Sequence, residues 1–423
     1  MTRHRISEPA RLALLIHTLA GGGIERVFLT LAGAFAARGH RVDLLVCRPG
    51  GRMAGEVPGQ VRLVGLRAST RLHAHAAMVA ADPGGLALMA PLLVSVKPPW
   101  AVRYLPALCR YLREERPDAL LSADTSVNLI ALWAQRLTAI EARFLVSEQA
   151  NFSFHIAAAQ HRVRRAYPAL VARTYPQANG IVAVSDGVAD DLARTTGLAR
   201  ERITTIHNPI SDPTIARLAR EPLTHPWFAA GAPPVVLSVG RLSRQQKDYA
   251  TLIEAFARLR SRRPTRLVVL GEGRDRRPIE QRARRLGVAA DVDLPGWVDN
   301  PFAYMARAAV LVLSSPAEGF GNVLVEAMAC GCPVASTDSP YGPAEILDDG
   351  RFGPLVPVGD AEALAEAIRD VLDAPLRPRR LRERAACFSV EHAVTRYLDV
   401  LLGGGPDGEW MPCRRVTPGR STS

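Results

Sequence analysis

Two carboxylates separated by seven residues, Glu318 and Glu326, flank a glycine-bearing turn in the run Ser314-Ser315-Pro316-Ala317-Glu318-Gly319-Phe320-Gly321-Asn322-Val323-Leu324-Val325-Glu326. The apolar residues before Ser314 read as a strand and those after Asn322 as a helix, so the first amides of that helix face a cleft. Amides at a helix start lack intrahelical partners, lie at the positive end of the dipole and bind anions. Gly319 and Gly321 let a ligand approach the backbone. Glu318 in the turn and Glu326 about one turn into the helix are within reach of one elongated ligand, and carboxylates accept hydrogen bonds from sugar hydroxyls. Reading Glu318 as a first-turn charge and Glu326 as a surface residue leaves the Gly-Phe-Gly turn unexplained.

A second group is Ser238-Val239-Gly240-Arg241-Leu242-Ser243-Arg244-Gln245-Gln246-Lys247-Asp248, where a strand ends and Arg241 and Lys247 share the loop that opens the next helix. A diphosphate needs such cations, Arg as a two-pronged fork and Lys as a compact charge. Gly21-Gly22-Gly23-Ile24-Glu25-Arg26 lies between the first strand and the first helix, without the G-x-G-x-x-G spacing or the acidic strand end of a nicotinamide enzyme. Gly22 and Gly23 still suit a backbone approach to phosphate. Leu294-Pro295-Gly296-Trp297-Val298 offers backbone groups to a base edge, and Gly271-Glu272-Gly273 closes the neighbouring strand near the same rim. Asp291-Val292-Asp293 resembles a metal-binding pair but starts a strand, at the end away from the cleft, and no metal is expected.

The elements that must hold these loops alternate apolar runs with amphipathic stretches, the rhythm of parallel strands joined by crossover helices. Strands are predicted at 12–18, 41–47, 61–66, 118–123, 143–147, 180–185 and 203–207, then at 235–239, 266–270, 292–294, 310–314, 333–336 and 354–356. Helices are predicted at 23–38, 101–115, 126–138, 159–175 and 187–196, then at 248–261, 275–287, 300–308, 322–330 and 360–373. The rhythm lapses at 209–234. The expectation is therefore α/β: two doubly wound, Rossmann-like domains, 1–208 and 209–389, facing a central cleft where ligands bind. A helix at 390–402 is expected to pack back on the N-terminal domain, with a disordered tail at 403–423.

Composition narrows the field. The 423 residues are 48% hydrophobic and 22% charged, ordinary for globular cores and unlike a disordered chain. The net charge of +12 falls mainly on residues 1–200, with 24 Lys and Arg against 14 Asp and Glu. Only 6% of residues are aromatic and no basic-aromatic stripe appears, which argues against nucleic acid as a partner. Six scattered cysteines and no secretory signal suggest a reducing, cytoplasmic setting. The most apolar run, 86–96, is too short to span a bilayer and is broken by Pro91, but with the following Lys97 to Trp100 it is compatible with a membrane interface or a buried element.

Together these motifs resemble the family 4 (group 1) glycosyltransferases of the GT-B fold. Over 235–373 the resemblance rests on the Glu-x7-Glu motif, the Gly-Arg-Leu…Gln-Lys-Asp loop and Pro343-Ala344-Glu345-Ile346-Leu347; in the N-terminal half it rests on Gly21–Arg26 and Ser147-Glu148-Gln149-Ala150-Asn151. It implies transfer of a sugar from a nucleoside diphosphate donor, a UDP-sugar favoured over a GDP-sugar, with retention at the anomeric carbon and without a cofactor. Glu318 would then hold donor-sugar hydroxyls, the amides of Phe320, Gly321 and Asn322, beside Val323, would meet sugar or phosphate, and Glu326 would bind ribose. Arg241 and Lys247 would neutralise the leaving diphosphate. Gln149 stands where relatives often have His, which leaves Glu148 to take a polar role near the reacting sugar. A glycan or polyprenyl-diphosphate acceptor, and a peripheral place on the anionic inner membrane surface, are implied for the basic N-terminal half. A catalytically silent member of the family is the rival reading.

Overall fold

The computed structural model describes residues 9–93, 100–157 and 165–403. The tail expected at 403–423, apart from Gly403, lies outside them, as do 94–99 of the apolar run and 158–164 of the helix predicted at 159–175. Among the described residues thirteen strands form two sheets. In the N-terminal sheet β1 (Arg11–Thr18), β2 (Arg41–Arg48), β3 (Val61–Gly65), β4 (Ala119–Ala123), β5 (Arg143–Glu148), β6 (Gly180–Ala183) and β7 (Ile203–Thr205) run in the order β3-β2-β1-β4-β5-β6-β7. In the C-terminal sheet β8 (Val235–Val239), β9 (Arg266–Leu270), β10 (Val292–Gly296), β11 (Val310–Leu313), β12 (Val334–Thr337) and β13 (Leu355–Val356) run β10-β9-β8-β11-β12-β13. Every recorded strand pairing is parallel. Both orders reverse beside the first strand of the sheet, which makes each half doubly wound.

Alternate residues explain why the strands read as continuous apolar runs. Val236, Leu267, Val269, Val310 and Val312 belong to an apolar cluster with Leu252, Phe256 and Ile368 of the helices Tyr249–Arg262 and Ala361–Asp373. Val235, Leu237, Val268, Leu270, Leu311 and Leu313 point to the opposite face and join Leu324 and Met328 of the helix Asn322–Cys330. Both faces of the sheet are covered, so apolar side chains occupy both positions of the two-residue period along most of each central strand. Burying each such side chain contributes about 1.5–3 kcal/mol.

Two backbone crossings join the halves. Ile210 and Ser211 donate their amides to Phe388 O at 3.1 and 2.9 Å, and Val390 donates to Ser211 O at 3.1 Å, so the outgoing and returning chains lie side by side. The helix Val390–Leu402 then packs on β4, β5 and the helix Gly23–Ala37, with Arg38 bonded to Thr395 Oγ1 (3.1 Å) and paired with Glu391. The Arg-rich stretch after 376, not predicted as an element, forms the helix Pro378–Ala386.

Candidate active site at the domain interface

Lys247 and Glu318, 71 residues apart in sequence, meet because their strands are neighbours: Val310 pairs with Val236 and Leu311 with Leu237. β8 and β11 flank the switch point of the C-terminal sheet, so the loops that leave them open onto one crevice. Asp248 caps the helix Tyr249–Arg262, accepting from Thr251 N (3.3 Å) and Thr251 Oγ1 (2.6 Å). Ser314 Oγ donates to Lys247 O at 2.8 Å, tying the two loops together. Lys247 Nζ reaches Glu318 Oε1 at 2.5 Å, and Ser315 Oγ donates to the same oxygen at 2.6 Å. With side chains only 19% and 15% exposed, this ion pair is mostly dry, and removing one partner leaves the other poorly solvated.

The turn between the carboxylates is gripped by the other domain. A Cβ on Gly319 would stand 2.3 Å from Gln149 O and 2.9 Å from Ala150 Cα, so only glycine permits this approach. Ser185 Oγ donates to Gly319 O at 2.8 Å. Phe320 is buried and stacks on His207 with ring centres 5.2 Å apart. Asn322 accepts from Asn208 Nδ2 at 2.9 Å, and Gly23 faces the Asn322 amide. Gly321 and Val323 lie against the buried side of the turn. Glu326 sits on the fifth residue of the helix; burial raises its pKa, opposed first by Arg26 and then by Lys247.

Arg241 crosses the interface to donate to Gly21 O at 3.4 Å, beside Gly22 and Glu25. Burial raises the Glu25 pKa, while its own backbone amide and Arg241 pull it down. On the rim, Gly271 lies so close to Gly240 that a Cβ would sit 2.1 Å from Gly240 O, and Gly271 N donates to Gly296 O at 2.8 Å. Trp297 is half exposed against Gly21, and Val298 is partly buried beside it. The two aspartates before this loop are engaged elsewhere: Asp291 pairs with Arg260 and Arg266, and Asp293 with His225. Among the described residues no cluster of three His, Cys, Asp or Glu side chains is placed to hold a metal.

Glu148 requires a correction. Its carboxylate, expected beside a reacting sugar, is buried in the N-terminal domain at 3% exposure. Thr125 Oγ1 donates to it at 3.0 Å, Asn128 Nδ2 at 3.2 Å, and Tyr175 OH is also bonded to it. Burial pushes its pKa up to about 7, with Tyr175 opposing the shift. Thr125 and Asn128 both belong to the helix Thr125–Thr138, so the side chain faces that helix inside the N-terminal domain. The neighbouring Gln149 is buried too and donates to Ser147 Oγ at 2.8 Å, and the site meets its carbonyl rather than its side chain. No local pattern around Ser185, Arg52 or Glu345 points to the contacts they make across the interface. Glu345 accepts from Asp186 N (3.1 Å) and Gly187 N (2.9 Å) across it, and its Oε2 lies 3.1 Å from His207 Nε2.

Two family models match this chain, Glycosyl transferases group 1 over residues 233–374 and Glycosyltransferase Family 4 over residues 21–212. The lipopolysaccharide core biosynthesis glycosyltransferase LpsE of Rhizobium meliloti is 30% identical over 90% of this chain and 96% of its own length. The chain belongs to glycosyltransferase family 4. It is thus a glycosyltransferase, of the hexosyl or N-acetylhexosaminyl kind. A Campylobacter jejuni protein described as an N-acetylgalactosaminyltransferase acting on a diacetylbacillosaminyl-diphospho-undecaprenol glycan is 28% identical over 93% of this chain and all of its own. Among solved structures, WaaG, involved in lipopolysaccharide biosynthesis, superposes with a TM-score of 0.68 at 19% identity, covering 93% of this chain and 100% of that one. HepE of Anabaena, solved with UDP-glucose, gives 0.69 at 18% identity and the same coverage. These likenesses establish the GT-B fold.

Proposed function

We propose that this glycosyltransferase moves a sugar from a UDP-sugar, with retention at the anomeric carbon, to a glycan carried on a polyprenyl diphosphate. The observation that carries the reading is the convergence of Lys247, Arg241 and Glu318 at the helix start Asn322, against the Gly21–Gly23 loop of the other domain. Lys247 is paired with Glu318. A diphosphate entering beside the helix start competes for Lys247, which releases Glu318 to accept hydrogen bonds from the donor sugar. Arg241 and Lys247 then stabilise the charge that grows on the leaving phosphate as its bond to the anomeric carbon breaks. The acceptor oxygen bonds to that carbon from the same face, and its proton passes to the departing phosphate oxygen. Glu326 takes the ribose hydroxyls, while Trp297, Val298 and Gly271 line the base end.

The acceptor class rests on the undecaprenol-linked glycan in the Campylobacter relative's description and on the excess of cations before residue 200. Among the described residues no single helix is long and apolar enough to cross a membrane; the bent pair Arg71–Ala81 and Pro83–Leu93 passes that test only when joined. This pair, with Leu72 and Leu86 exposed, is proposed to rest on an anionic cytoplasmic leaflet. The test is transfer of label from a panel of UDP- and GDP-sugars to polyprenyl-diphosphate glycans, with the product's anomeric configuration read by proton NMR. An α-linked product from an α-UDP-sugar supports the proposal, whereas a β-linked product overturns retention. Transfer only to a soluble glycan overturns the acceptor class.

A further inference from the structure

The loop after β2 carries an arginine that bridges the two domains at the base end of the crevice. Arg52 Nη2 pairs with Glu272 Oε2 at 2.6 Å, and its guanidinium lies over the Trp297 ring, 5.3 Å from the centroid. Glu272 and Trp297 leave adjacent strands of the C-terminal sheet, and Gly21 of the other domain touches the same indole. The arginine is held on a built support. Gly51 has φ of 142°, and a Cβ there would stand 2.2 Å from Leu19 O. Met53 N donates to Leu19 O at 3.0 Å, and the Met53 side chain is buried. The short helix Arg52–Glu56 and the Leu19–Gly23 loop therefore form one unit, which presents Arg52 to the opposite rim.

We propose that Arg52 is a gate residue that closes the base end of the donor site from the N-terminal domain, so that a nucleotide enters only after Arg52 leaves Glu272 and Trp297. This rests on the donor reading above for what passes the gate, but not for the gate itself. The pair is about half exposed, with side-chain accessibilities of 50% and 52%, so it can break and re-form without unfolding anything. The cation over an aromatic face adds attraction that an exposed ion pair lacks.

The test compares the full chain with Arg52→Glu, Glu272→Arg and the double charge swap, at low salt because exposed pairs are screened. Small-angle scattering without ligand should show a larger radius of gyration for each single variant and a return toward the wild-type value in the swap. Stopped-flow tryptophan fluorescence should show UDP associating roughly 3–10-fold faster with each single variant. Unchanged scattering in both single variants, or a swap no more closed than they are, would overturn the gate. Because scattering needs no nucleotide, failure of every form to bind UDP would count against the donor reading and leave the gate decided by the scattering.

Discussion

At the scale of single residues, the mostly dry Lys247–Glu318 pair makes the sharpest forecast. If Lys247 and Arg241 stabilise the leaving group, Lys247→Ala and Arg241→Ala should each lower kcat by roughly 10²–10³-fold in a steady-state transfer assay, with the acceptor KM little changed. A loss confined to KM would mean that the cations only bind. Glu148 makes a different forecast. Its folded-state pKa of about 7 lies above the usual 4.5, so between those pH values the native protein holds a proton that the unfolded chain has released. Its contribution is fully present below about pH 4.5 and is lost as pH rises through 7. Glu148→Gln cannot ionise, so its melting temperature should gain about 5 °C on the wild type between pH 5 and pH 8, measured by calorimetry. A gap that stays constant with pH would contradict the buried-acid account.

At the scale of elements, the contact between Gly319 and the Gln149 carbonyl is decisive for the turn. Gly319→Ala must push the domains apart or twist the turn, and it should cut transfer at least about 10-fold while shifting the melting temperature less than a core deletion. Full activity in that variant would show that the close approach is not needed. The helix Val390–Leu402 buries Tyr397 completely against the N-terminal domain. Tyr397→Ala should therefore cost about 3–5 kcal/mol, read as a lower denaturant midpoint.

The thirteen strands among the described residues were legible in the sequence: the central ones leave continuous apolar runs, and the loop motifs begin where strands end. The helix at 322–330 was legible to the residue, since a Gly-Asn start and a Cys-Gly stop bracket it. The helices Arg71–Ala81 and Pro378–Ala386 were not: one has a weak apolar stripe, and the other is so rich in Arg that it reads as a loop. In the candidate site, Lys247 and Glu318 stand out by residue type and loop position, and the structure brings them together. The direction of Glu148 does not stand out, because a strand's last side chain can point to either face. Ser185 and Arg52 escaped because what matters about them is the other domain, and no local pattern encodes a contact with a partner more than a hundred residues away.

At the scale of the whole molecule, two sheets that switch direction at β1 and β8 present their loops to one another across a shared crevice. The crossings at Ile210–Ser211 and Phe388–Val390 lie side by side. The crevice is built from both halves: glycine loop and carbonyl from one, cations and carboxylates from the other. Donor affinity should therefore reside mainly in the C-terminal half and turnover in both.

Whether the Glu318–Glu326 turn holds a nucleotide-sugar is read by titrating UDP into the full chain and following the thermal midpoint, since a ligand that binds only the folded state raises it. A saturable rise with UDP is expected in the wild type and is expected to be lost in Glu326→Ala, each protein being compared with its own ligand-free midpoint. No rise with UDP or GDP, or a rise that Glu326→Ala retains in full, would contradict a nucleotide-sugar site at this turn.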